Sequence, residues 1–189
     1  MFKERKTKLT PPFGGPGADD EMYYEEKEFY YALGRAVSQW ADVEDRLYLL
    51  YQKIINSDNF FGMSASYFSN INFSNKFDMV DKVLRASHYD ESILKEWGKI
   101  SERIRKKNIH RNRIAHYSTT FNNLKKPGER IYLSPSVSNI NAALAKNTLS
   151  EKHTYTTRKL EELVPVFSKL ASDIHDFVLV LPYVKDKKA

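Results

Sequence analysis

LGRAVSQWADVEDRLYLLYQKI, residues 33–54, decides the fold of this 189-residue chain. Leu33, Ala36, Trp40, Val43, Leu47, Leu50 and Ile54 recur at alternating steps of three and four, and no proline interrupts them. That spacing lines one face of an α-helix with apolar side chains. The helical signal extends from about Asp20 to Asn56, up to roughly ten turns. Such a length exceeds the usual globular helix, so part of it is expected to pack against a second copy of the chain. Glu44 stands beside the seam, next to Val43 and one turn after Trp40. Either it is an ordinary flanking charge or it holds an arginine from elsewhere in the chain.

Three more helical stretches follow. Residues 57–73 are rich in aromatic and small polar side chains without a long period, which predicts a loop with a short helix lidding the core. Phe60, Phe61, Tyr67, Phe68 and Phe73 then read as satellite core, with stacking on nucleobases as the alternative. Ser74 is the expected N-cap of a helix to about Ser87, with Phe77, Val80, Val83 and Leu84 on its apolar face. Another helix begins near Asp90 as its cap, with Ile93, Trp97, Ile100 and Ile104 in its seam. The last, about Thr157 to Leu181, carries Leu160, Leu163, Phe167, Leu170, Ile174 and Phe177, and Pro165 should kink it or mark its true start. Between the last two helices, Tyr117–Phe121 and 130–133 flank a Pro127-Gly128 turn signal and predict a β-hairpin. Residues 134–155 read as a polar surface excursion, weakly helical around 139–146. The pattern implies an all-α fold, a four- to five-helix up-down bundle with a small β-hairpin insertion before the last helix. One domain is expected over 21–184, with the hairpin and loop insertion at about 117–155. Residues 1–20 read as a flexible basic Pro/Gly-rich tail, and 185–189 as a second, solvated tail.

Thirty Lys and Arg against 24 Asp and Glu give a net charge of +6, which favours a polyanionic partner. The excess is local. Residues 99–113 hold seven basic side chains (Lys99, Arg103, Arg105, Lys106, Lys107, Arg111, Arg113) and one acidic, Glu102. With no cysteine, a disulfide framework and thiolate chemistry are excluded. No apolar run approaches the roughly eighteen residues of a membrane span, so a cytoplasmic protein with no membrane partner is expected. His88, His110, His153 and His175 show no metal-ligand spacing, and neither a phosphate-cradling glycine pattern nor a nucleophile elbow is present. We therefore expect neither a metal nor another cofactor.

The polar exception to the helical seams is Arg111-Asn112-Arg113-Ile114-Ala115-His116. Continuing from Ile104 by threes and fours reaches Asn108, Arg111 and Ala115, so Arg111 should project from the packed face. There a guanidinium needs a carboxylate, a set of acceptors or an anionic ligand. If the last helical turn loosens, Arg111 and His116 can converge on one small ligand, with Asn112 one turn before His116 to orient the imidazole. His110 adjoins the stretch as a supporting residue.

This string resembles the HEPN superfamily, all-helical proteins marked by Arg, four to six residues, then His. Here the match is Arg111, four residues, His116, with the polar Asn112 directly after the arginine. Trp40 and Glu44 in a long first helix, Trp97 in the helix leading to the motif, and a last amphipathic helix extend the likeness over most of residues 25–181. The resemblance implies a metal-independent ribonuclease acting as a homodimer, with the motifs of two subunits facing across a cleft. It also implies a toxin or anti-phage defence effector, with an antitoxin or defence-system partner protein, although many relatives have lost catalysis. The roughly thirty-five residues after His116 depart from a minimal member.

The chemistry agrees from below. An imidazole with an ordinary pKa of about 6.5 can move protons, and a permanently charged, forked guanidinium can hold a phosphate. Arg105, Lys106, Lys107 and Arg113 would steer the RNA backbone by charge. Two other readings stand beside this one: a non-catalytic helical module binding a partner protein, nucleotide or RNA, and a purely structural role. In the structural role Arg111 pairs with Glu44 and His116 caps the helix C-terminus.

Overall fold

The computed structural model describes residues 20–135 and 153–183, which contain five helices and three short strands. The order is α1 (Asp20–Ile55), α2 (Phe60–Phe68), α3 (Phe73–Ala86), α4 (Glu91–His116), β1 (Tyr117–Phe121), β2 (Ile131–Pro135), β3 (Tyr155–Thr156) and α5 (Thr157–Val180). It is a mostly helical bundle with a small antiparallel sheet before the last helix. The two expected tails and the weak helix around 139–146 lie outside the described residues.

The central helix forms as its spacing requires. Ala32, Ala36, Trp40, Val43, Leu47, Leu50 and Ile54 are buried, and Leu33 is only partly so. At 36 residues α1 is about 54 Å long. It ends where Asn56 takes a left-handed φ of 43°, a conformation asparagine tolerates better than most residues. Its main partner is α5, which buries Leu160, Leu163, Phe167, Leu170, Ile174 and Phe177. Pro165 lies inside α5 and not at its start.

Helices α2, α3 and α4 correct three expectations. Of the aromatics in 57–73, Tyr67 and Phe73 are core, but Phe60, Phe61 and Phe68 are exposed. A nine-residue helix turns one narrow face inward, here Met63 and Tyr67 one turn apart. The N-cap of α3 is Asn72, whose Oδ1 accepts from the Asn75 amide at 2.8 Å, and Ser74 lies within the first turn. Asp90 does hold the N-cap position of α4, yet its side chain makes no capping bond.

The hairpin forms with β1 and β2 antiparallel, from Tyr117 opposite Pro135 to Phe121 opposite Ile131. Its turn has Gly128 at φ 80°, where a Cβ would be strained. A third strand, absent from the sequence reading, pairs Leu133 with Tyr155 and leads directly into α5. The sheet is thereby tied to the bundle at both ends, through α4 and through α5.

Candidate functional site

The expected seam of α4 carries inward into its polar end. Trp97, Ile100 and Ile104 are buried, Asn108 and Arg111 are half-buried, and Ile114, not Ala115, returns to the core. Arg111 points toward α1. Its Nη2 donates to Oε1 of Glu44 at 3.3 Å, and its Nη1 donates to Oδ1 of Asn112 at 3.2 Å. The same Glu44 oxygen accepts from Nε1 of Trp40 at 3.0 Å. Trp40 is itself fixed edge-on between Phe73 and Phe167, with centroids 4.9 and 5.1 Å away. One carboxylate thus joins a buried indole to a guanidinium across two helices. The Glu44 and Arg111 side chains remain 25 % and 30 % exposed, so the ion pair is accessible.

Beside the pair lies an open apolar groove of about 200 Å³, walled by Val37, Ala41, Ile114, Ala115 and Phe167, with Glu44 and Arg111 on its margin. Val37 and Ala115 are exposed.

His116 and Asn112 do not line this groove. The last turn of α4 stays regular, because the Tyr117 amide bonds the Arg113 carbonyl. Five residues of regular helix turn His116 roughly 140° away from Arg111. The loosened turn that would let both side chains converge within one chain is therefore absent. Asn112 shares a face with His116 at a spacing of four, and its carboxamide oxygen accepts from Arg111. His116 is exposed at the helix C-terminus.

The other basic residues separate into two groups. Arg105 is held by Asp78 and Asp81, each at 3.2 Å, and its guanidinium covers the Phe77 ring at 4.6 Å. It fastens α4 to α3. Lys106 pairs with Glu102 at 2.7 Å on the helix surface, and Arg103 bonds Asp173 of α5. Lys107 has no ion-pair partner among the described residues, and Arg113 lies beside the Tyr155 hydroxyl. His110 Nδ1 is 2.8 Å from the same hydroxyl. Burial, then the nearby Lys107 and Arg113 charges, push His110 below the ordinary histidine range. Burial raises the Tyr155 hydroxyl despite the opposing pull of Arg113.

A second cluster went unread in the sequence. Asp81, buried on α3, accepts from Trp97 Nε1 at 2.6 Å, from Arg85 at 3.1 Å and from Arg105 at 3.2 Å. The available signal was an aspartate one turn from both Phe77 and Leu84 on a seam otherwise apolar. Among the described residues no three His, Asp or Glu side chains are placed to hold a metal ion, and no helix is long and apolar enough to cross a membrane. Comparison of the chain with family models, with curated proteins and with solved structures finds no match.

Proposed function

We propose that Arg111, Asn112 and His116 form one half of a metal-independent endoribonuclease site, completed by a second copy of the chain. The observation that carries this reading is the Trp40–Glu44–Arg111–Asn112 chain of hydrogen bonds. It presents an accessible guanidinium at the edge of an open groove, on the turn that leads to an exposed histidine. Glu44 and Asn112 engage one terminal nitrogen each, leaving other N–H donors of the fork for a phosphate.

In this reaction a base takes the proton of the 2′-hydroxyl, and the 2′-oxygen attacks the phosphorus. The P–O5′ bond breaks, an acid protonates the leaving 5′-oxygen, and the products carry a 2′,3′-cyclic phosphate and a 5′-hydroxyl. His116 supplies one of the two proton transfers, and Arg111 stabilises the charge on the phosphoryl oxygens. One imidazole serves one transfer at a time, and within one chain His116 and Arg111 diverge. A facing copy provides the second imidazole, which makes the homodimer part of the mechanism. Lys107 and Arg113 guide the RNA backbone, whereas Arg105 acts in holding α4 to α3.

The test is cleavage of RNA in excess EDTA by the purified protein. Activity should survive the chelator, disappear in His116→Ala and in Arg111→Ala, and require the dimer in sedimentation. Activity that needs a metal or persists in folded His116→Ala rejects the proposal. A second reading, a non-catalytic module that binds an anionic partner through Arg111, is favoured by the Glu44 pairing and by the regular last turn. It predicts no cleavage, and binding that Arg111→Ala weakens.

A further inference from the structure

A second seam runs along α1, about 100° round the helix from its core face. Lys27, Tyr30, Gly34, Val37, Ala41 and Glu44 recur at alternating steps of three and four, the spacing of a helix that packs lengthwise against another helix. The first five are exposed, Tyr30 to 40 % and Val37 to 52 %, and Glu44 is half-buried. Aromatic and aliphatic side chains at that spacing on a wet face form an apolar stripe with no core of its own to enter.

Gly34 is the second observation. It stands inside a 36-residue helix, where glycine is destabilising relative to alanine. A Cβ built on it meets no atom within 4 Å, so its own chain gives no reason for a glycine there. Close approach of another backbone gives one. Charge supplies a third observation. Lys27 has no ion-pair partner among the described residues, and Glu44, which accepts from Trp40 and Arg111 through Oε1, receives no bond at Oε2 from them. The two lie about 26 Å apart along the helix and cannot meet within one chain.

We propose that two copies of the chain pair on this seam, their α1 helices antiparallel about a two-fold axis between Gly34 and Val37. The spacing reads the same in both directions from that point. Antiparallel pairing sets Val37 against Gly34, Tyr30 against Ala41 and Lys27 against Glu44 of the second copy. Large side chains then meet small ones and positive meets negative, each contact occurring twice. Parallel pairing would set Lys27 on Lys27, Glu44 on Glu44 and tyrosine on tyrosine, and would leave a gap between the glycines. Charge and size therefore select the same orientation. Val37 and Ala41 also wall the Arg111 groove together with Ala115, the neighbour of His116, so the axis passes near the C-terminal ends of both α4 helices. The second copy's Lys27 takes the Glu44 oxygen that Arg111 leaves free. This consequence for cleavage rests on the ribonuclease reading, whereas the interface itself does not.

The chain has no cysteine, so introduced thiols test the register. Positions 30 and 41 of one helix are about 16 Å apart, beyond the reach of a disulfide. Mild oxidation of the Tyr30→Cys, Ala41→Cys double variant should therefore give a covalent dimer on a denaturing gel, and neither single variant should. Sedimentation of the full chain at micromolar concentration should show a dimer, weakened about tenfold by Lys27→Glu. Gly34→Leu should weaken it as well, although leucine suits an isolated helix better than glycine, and circular dichroism checks its fold. A monomer in sedimentation, cross-linking of the single variants, or an undiminished dimer in Gly34→Leu overturns the interface. A dimer whose double variant does not cross-link also overturns it, while leaving the cleavage reading, which needs only a dimer, intact. A dimer that cross-links as described but cleaves no RNA in EDTA supports the interface and rejects the ribonuclease reading alone.

Discussion

The bundle contains two clusters built from the same parts, a tryptophan indole, a carboxylate and an arginine. At one, Trp97 and Arg105 from α4 and Arg85 from α3 converge on Asp81, whose side chain is 11 % exposed. At the other, Trp40 and Arg111 converge on Glu44, 25 % exposed. Asp81 receives one hydrogen bond from the indole and two from guanidinium groups, Arg85 from its own helix and Arg105 from α4, which fastens α3 to α4. Glu44 receives one from the indole and one from Arg111, and a groove opens beside it. The same chemistry is therefore a rivet where the carboxylate is enclosed between two helices, and borders an open groove where the carboxylate is half-exposed. The functional assignment rests on that difference, which mutation can break or sharpen.

The largest contrast should be in activity. If the Glu44 cluster serves RNA cleavage, His116→Ala should lower the EDTA-resistant rate by about a thousandfold, the equivalent of roughly 4 kcal/mol. The urea midpoint should barely move, because His116 is exposed. Asp81→Asn should do the reverse, leaving cleavage per folded molecule intact while lowering stability.

Next in size is that stability loss. Asp81→Ala leaves the buried Trp97 indole without an acceptor and releases two arginines, and we expect about 3 kcal/mol of destabilisation by urea unfolding. A loss below about 1 kcal/mol would mean that water or Asp78 replaces the carboxylate, and the rivet reading would fail. Glu44→Ala should cost less, about 1–2 kcal/mol, because solvent already screens the pair and can reach its remaining partners. An equal loss at the two sites would erase the distinction between them.

The sequence revealed these two clusters unequally. Glu44 and Arg111 stand 67 positions apart, yet both were visible, because each is a charged residue beside or on a seam that otherwise reads as core. Asp81 was hidden. It follows Val80 in a seam of mixed steps, where an aspartate reads as the start of the wet face. Trp97, from the next helix, is what turns it inward. The strands show the same limit. Tyr117–Phe121 was legible from its Thr and aromatic content, whereas the two-residue β3 has no pattern and exists because Leu133 offers Tyr155 a paired backbone. The cap of α3 differed from expectation because several polar residues near the helix start suit the role, and side-chain geometry selects among them, whereas Asp90 holds the expected cap position of α4 without a side-chain bond. For the candidate site, helical spacing identified the residues but could not show that the last turn of α4 stays regular, which separates Arg111 from His116.

The smallest predicted effect belongs to a third polar contact of α4, between His110 and Tyr155. His110 titrates lower in the folded chain than the ordinary histidine value of 6.5, through burial and the Lys107 and Arg113 charges. The unfolded chain therefore takes up a proton first as pH falls. The stabilising contribution of neutral His110 is fully present above about pH 6.5 and declines as pH drops below that value toward the folded pKa. Melting temperature should thus fall between pH 7.5 and 5.5 by more in the native chain than in His110→Gln, which removes the titrating group. If both proteins lose the same amount, His110 is not held neutral by its surroundings. Its contact with Tyr155 would then be an exposed surface bond, and the side-chain link between α4 and β3 would rest on Arg113 beside the Tyr155 hydroxyl. Cleavage measured across the same range adds the comparison with the Glu44 cluster. His110→Gln should leave the shape of the activity profile unchanged, because His110 bonds Tyr155 at 2.8 Å and does not line the Arg111 groove.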